Sequence, residues 1–191
     1  MASRGGKFVL FASLALLAAG AFALAGPLAA TGGANACSHF GNTEAQKLSH
    51  AQARRSIGCL LNRARHRHGV RHLRTNHRLK KAAEKHTDYM KRHHCFSHRC
   101  PGEPSFVSRL QRVNYVVGGL SRWKIGENIA WGGGHDGTPR AIVRSWMHSP
   151  GHRANILDSQ YRHVGVGFAS GCTRGKRAGV MFTTDFGMRR R

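Results

Sequence analysis

The chain has 191 residues, with 31 lysines and arginines against 8 aspartates and glutamates, a formal charge of +23. Such a balance implies attraction to polyanions or to a negatively charged surface, and it speaks to association and not to fold. An arginine-rich composition that merely decorates a solvated surface is the alternative. No helix-turn-helix, zinc finger or aromatic–basic strand pattern accompanies the charge, which argues against sequence-specific nucleic-acid recognition.

The first residues read as an address. Arg4 and Lys7 precede an apolar run from Phe8 to Ala25, Gly26-Pro27 breaks it, and Ala34-Asn35-Ala36 forms an A-x-A cleavage site before Cys37. A retained membrane anchor is the competing reading, since 18 residues of low polarity are just long enough to span a bilayer. Residues 1–36 are therefore expected to be a signal peptide and residues 37–191 a single domain with a short basic C-terminal tail. The mature part keeps 29 basic and 8 acidic residues. It is expected to be secreted, extracellular or cell-wall associated, monomeric and without a transmembrane helix.

All five cysteines, Cys37, Cys59, Cys95, Cys100 and Cys172, follow the cleavage point, where export permits disulfides. Five thiols allow two bridges and one leftover, and the sequence alone leaves the pairing open. Proximity favours Cys95 with Cys100 and Cys37 with Cys59. No C-x-x-C pair is present, which argues against a structural zinc site.

Helices are expected first and strands last. Thr43, with Gln46 completing a capping box, opens a helix that carries Ile57, Leu60, Leu61 and Ala64 to a stop at Gly69. Arg63 to His68 reads as its solvated end. A second helix follows Thr75-Asn76 with Leu79, Ala82, Ala83, His86 and Met90 on one face, where His86 reads as a satisfied core histidine. His93 and His94 are its exposed end. Ser105 to Arg112 forms a short helix, and Thr138-Pro139 and Ser149-Pro150 open two more. Gly132 to Gly137 is a surface loop. His163–Ala169 and Val180–Phe186 alternate as strands. Gly165-Val166-Gly167 is no nucleotide loop, since nothing helical follows it. This order suggests an α+β domain.

Three segments carry the chemistry: Phe96-Ser97-His98, Gly126-Glu127-Asn128 and Trp146 through Gly151-His152 to Val164-Gly165. Their order and spacing resemble the CAP superfamily of cysteine-rich secretory proteins, antigen 5, plant pathogenesis-related proteins and bacterial SCP-like proteins. The resemblance covers Glu44 to Gly187. It implies an α-β-α sandwich with a small antiparallel sheet between helical layers and a central cleft. Members of the family commonly present two histidines and two glutamates there, and in some the histidines hold a divalent metal. His98, Glu127 and His152 match three of the four positions. Ser149 stands three residues after Trp146, where eukaryotic relatives carry the second glutamate; the Trp-x-x-Ser-Pro pattern fits the bacterial branch.

With one carboxylate where the larger pattern has two, a paired acid/base mechanism is unsupported. His98, Glu127 and His152 with a water would satisfy tetrahedral zinc. Glu127 reads equally well as a buried carboxylate that accepts hydrogen bonds. No Gly-x-Ser-x-Gly elbow is present, Ser149 is explained by capping, and nothing around Cys172 suggests an activated thiol. The sequence therefore points to a non-enzymatic binding module, with a His/Glu cleft for a divalent metal such as zinc and a basic surface for anionic partners such as wall polymers or lipid head groups. A metal-assisted extracellular hydrolase acting on peptide or wall material is the alternative.

Overall fold

The computed structural model describes Cys37, residues 40–174 and residues 177–191; the expected leader, 1–36, lies outside the described residues. Helix α1 spans His50–Arg67, α2 His77–Arg92, α3 Phe106–Arg112, α4 Pro139–His148 and α5 Pro150–Leu157. Strand β1 is Arg74–Thr75, β2 Arg122–Gly132, β3 His163–Arg174 and β4 Arg177–Arg190. The sheet order is β1-β3-β4-β2. β3 and β2 flank β4 antiparallel, as expected, and the two-residue β1 adds a parallel edge.

Alternation in β3 and β4 builds the two faces. Val164, Val166, Phe168, Phe182 and Phe186 pack against Ile57, Leu61, Ile142, Trp146 and Ile156 from α1, α4 and α5. On the other face α2 lies directly on the sheet, because two glycines let the backbones meet. A Cβ at Gly165 would stand 2.1 Å from the Leu79 carbonyl carbon, and one at Gly167 would stand 2.3 Å from the Ala83 oxygen. The Gly-Val-Gly run is thus a packing device. Leu79 and Ala82 meet Leu110, Val113 and Tyr115 on that side, completing the expected three layers.

Several local expectations change. The first helix is capped by Ser49, whose side chain accepts from Gln52 N while Gln52 bonds back to Ser49 N. Thr43-Gln46 instead leads into a short 3-10 turn, Ala45–Lys47. Arg65 is fully buried and not solvated; its guanidinium donates to the carbonyls of Arg71 at 2.7 Å and Ile156 at 2.6 Å, fastening α1 to the last turn of α5. The basic tail is the end of β4, since Arg189 and Arg190 belong to the strand. Gly132 closes β2 and Gly134–Gly137 forms a 3-10 turn within the expected loop. Cys37–Cys59 and Cys95–Cys100 are paired as proximity favoured, with Cα separations of 5.5 and 6.0 Å. Cys172 is buried and free, and burial pushes its thiol pKa up, as befits an inert side chain. Among the described residues no helix is long and apolar enough to cross a membrane.

Candidate functional site

The three segments converge through β2. Trp146 donates its indole N–H to the Ile129 carbonyl at 3.0 Å, which seats α4 on the strand. Asn128 donates to the His152 carbonyl at 3.1 Å and accepts from Asn155 at 2.9 Å, which seats α5. Glu127 points to the opposite face, as alternation requires.

There Glu127 sits in a buried charge network. Its Oε1 lies 2.8 Å from His98 Nδ1 and its Oε2 accepts from Arg109 Nη2 at 2.6 Å. Arg109 also donates to Glu103 at 3.0 Å, and Glu103 Oε1 lies 2.7 Å from His86 Nδ1. Burial alone would raise the Glu127 pKa, but the His98 hydrogen bond, then the His86 and Arg109 charges, overcome it and hold the carboxyl below its ordinary value. Asp185 faces Glu127 from β4. Fully buried and beside the Glu127 charge, it is pushed well above the usual carboxylate range, and it shares a hydrogen bond with Glu127. Asp185 Oδ1 and His86 Nε2 have no hydrogen-bond partner among the described residues.

His98 is held in the Cys95–Cys100 loop with a side chain 56% exposed, so its ring reaches outward while its Nδ1 is anchored. His152, on α5, has its Nδ1 2.9 Å from Ser149 Oγ. Ser149 makes no capping bond to the α5 backbone, so its hydroxyl orients the histidine and does not cap the helix. Burial, then the His98 charge, lowers the His152 pKa. The two rings are thus electrostatic neighbours, each with Nδ1 engaged by a partner.

The sequence-derived trio therefore divides. His98 and Glu127 are in contact, and His152 stands across from them with its own partner. Among the described residues, no three His, Cys, Asp or Glu side chains form a group able to hold an ion. Glu127 carries a hydrogen bond on each oxygen, and each histidine has its Nδ1 held from behind, His98 by Glu127 and His152 by Ser149.

A cleft of about 750 Å³ opens beside the histidines, lined by Phe96, Ile129, Trp131, Arg144, Trp146 and His152 among others. Its wall is aromatic with cationic points, the usual make-up of a ligand site.

Glu103, Arg109 and Asp185 were missed from the sequence. An arginine amid the apolar positions Phe106 and Leu110, and an aspartate inside the alternation of β4, were the available signals.

Residues 60–186 match the cysteine-rich secretory protein family (CAP). The uncharacterized protein YkwD of Bacillus subtilis (strain 168) is 35% identical over 111 residues, 57% of this chain and 39% of that one. The uncharacterized membrane protein YlbC of the same organism is 35% identical over 108 residues, 56% of this chain and 29% of that one. The chain thus spans well under half the length of these curated relatives. An extracellular protein containing an SCP domain from Bacillus anthracis superposes with a TM-score of 0.59 at 30% identity, over 74% of this chain and 42% of that one. An outer surface protein from Borrelia burgdorferi shares the fold, with a TM-score of 0.60 at 15% identity over 75% of this chain and 97% of that one.

Proposed function

We propose that this chain, which belongs to the cysteine-rich secretory protein family (CAP), works outside the cell as a non-enzymatic binding module. Its cleft takes the ligand, its basic surface meets anionic partners, and its two site histidines hold a divalent ion. One observation carries this reading: Glu127 has one oxygen on Arg109 and the other on His98. A general base must meet the proton it takes, and Glu127 is buried with its oxygens turned to Arg109 and His98 instead of to the cleft. What it does is orient an imidazole.

Zinc suits the donors, because a neutral imidazole with Nδ1 hydrogen-bonded presents Nε2 to a metal. His98 and His152 would hold the ion, and the ion would supply an electrophilic point for an anionic ligand group at the cleft mouth. Two protein ligands instead of three make the site weak. The aromatic wall of Phe96, Trp131 and Trp146 provides apolar contact, and Arg144 provides charge.

Incubating purified mature protein with cell-wall material and a peptide mixture, with and without added zinc, tests the reading. Saturable retention without soluble fragments is expected. Zinc-dependent fragment release that is lost in His98→Ala would establish the hydrolase instead.

A further inference from the structure

β2 is an edge strand. It pairs with β4 on one side and with no strand on the other among the described residues. In an antiparallel ladder the backbone groups of successive residues point to alternate sides. Two side chains mark which residues point outward: Asn155 donates to the Glu127 carbonyl at 3.2 Å, and Trp146 donates to the Ile129 carbonyl at 3.0 Å. By the same parity the N–H of Ile129 and both backbone groups of Trp131 point outward. No hydrogen bond reaches those three groups among the described residues.

This edge is the floor of the cleft. Ile129, Ala130 and Trp131 all line it, although the side chain of Ala130 leaves the sheet on the face opposite to those of its neighbours. Three successive residues inside a strand share one cavity only along the strand's edge. Ala141, Ser145 and Trp146 of α4 line the same cavity.

Unpaired edge groups are a template for another strand. Here a donor at Ile129 and a donor and an acceptor at Trp131 stand ~6.8 Å apart, the two-residue repeat of an extended chain. A peptide supplies a carbonyl for each donor and an N–H for the acceptor; an acyl chain supplies neither. The cleft also carries one charge of each sign. Asp136 and Arg144 line it, both exposed, and neither forms an ion pair among the described residues.

We infer that the cleft takes an extended peptide of mixed charge, which adds to β2 as a further strand along residues 129–131, with an acidic side chain on Arg144 and a basic one on Asp136. Main-chain hydrogen bonds supply the affinity in this mode and the flanking side chains the choice of sequence. The inference rests on the binding-module reading above and names the ligand of its cleft.

The test uses the mature protein and a randomised pool of synthetic acetylated hexapeptide amides. Retained members should carry both an acidic and a basic residue, and the tightest of them serves as the probe. In the free protein the Ile129 and Trp131 amides should exchange with deuterium quickly, while the Ala130 amide, bonded to β4, exchanges slowly. Saturation with the probe should slow Ile129 and Trp131 by about tenfold or more and leave Ala130 as it was. Methylating the probe's amide nitrogens one at a time should cost about tenfold at the single position that donates to the Trp131 carbonyl, since Trp146 already holds the Ile129 carbonyl. D136N and R144Q should each weaken the probe by about fivefold, and R153Q, exposed on α5, should not. Thermal melts confirm that the variants fold. A probe that binds without slowing the Ile129 and Trp131 amides overturns strand addition. Retention of cell-wall material with no peptide retained overturns the inference and leaves the binding-module reading standing. If neither is retained saturably, that reading fails as well.

Discussion

Glu127 and Asp185 face each other from neighbouring strands on one side of the sheet, and their pKa values are driven apart, Glu127 down and Asp185 up. The hydrogen bond from His98 and the charges of His86 and Arg109 keep Glu127 ionised, with Arg109 bonding it directly at 2.6 Å, while burial and the Glu127 charge keep Asp185 protonated. The protonated partner lets two carboxyls share an interior that would not accept two negative charges.

Arg109→Met removes the permanent cation from this network while keeping much of its volume. Glu103 and Glu127 are then left buried without it, and a loss of about 3–5 kcal/mol is expected. Urea unfolding measures it. A loss below about 1 kcal/mol, the value of an exposed pair, would contradict the network.

Much of the layering was legible from sequence. Asn76, Ser105 and Thr138 cap the helices that the residue patterns place after them, and the apolar alternation of β3 and β4 marks the inward faces. β2 was not legible as a strand. Glu127 and Asn128 interrupt its apolar run, and their burial is offset by partners more than 20 residues away, Arg109 excepted at 18. His98, Glu127 and His152 stood out by motif, whereas Arg109, Glu103 and Asp185 sit in no motif and acquire meaning only from tertiary contact. Local pattern reports which face a residue takes; it does not report which charge waits across the core.

Stability should fall as pH drops from 7 toward 5. His86, His152 and His163 are held below the ordinary imidazole value, by burial first in each case. The unfolded chain takes up these protons near pH 6.5 and the fold does not, so the unfolded state binds more protons in this window and is favoured there. Asp185 opposes one of the three, because the fold keeps its proton where the unfolded chain has lost it. Asp185→Asn should therefore steepen the fall. Melting temperatures across that range check both points, and a flat profile in the parent would contradict them.

Reducing the Cys95–Cys100 bridge should cost at most about 3 kcal/mol, given its short loop. The larger effect is expected on His98, which lies inside the loop: metal affinity should drop in Cys95→Ser/Cys100→Ser more than stability does. Unchanged affinity in that variant would show that Glu127 alone positions the ring.

Exported protein should begin at Cys37, following the A-x-A site. N-terminal sequencing of the exported chain reads this directly, and a retained leader in a membrane fraction would contradict it.

Zinc calorimetry on the mature parent, His98→Ala, His152→Ala and the double variant tests the account most directly. Each histidine supplies one nitrogen, so each single change should weaken binding strongly and the double change should abolish it. Glu127→Gln and Ser149→Ala, which alter only the partners of Nδ1, should cost roughly 10–100-fold. Binding should also weaken below about pH 6, where protons compete for imidazole. If the double variant binds zinc as the parent does, the two histidines do not form the site.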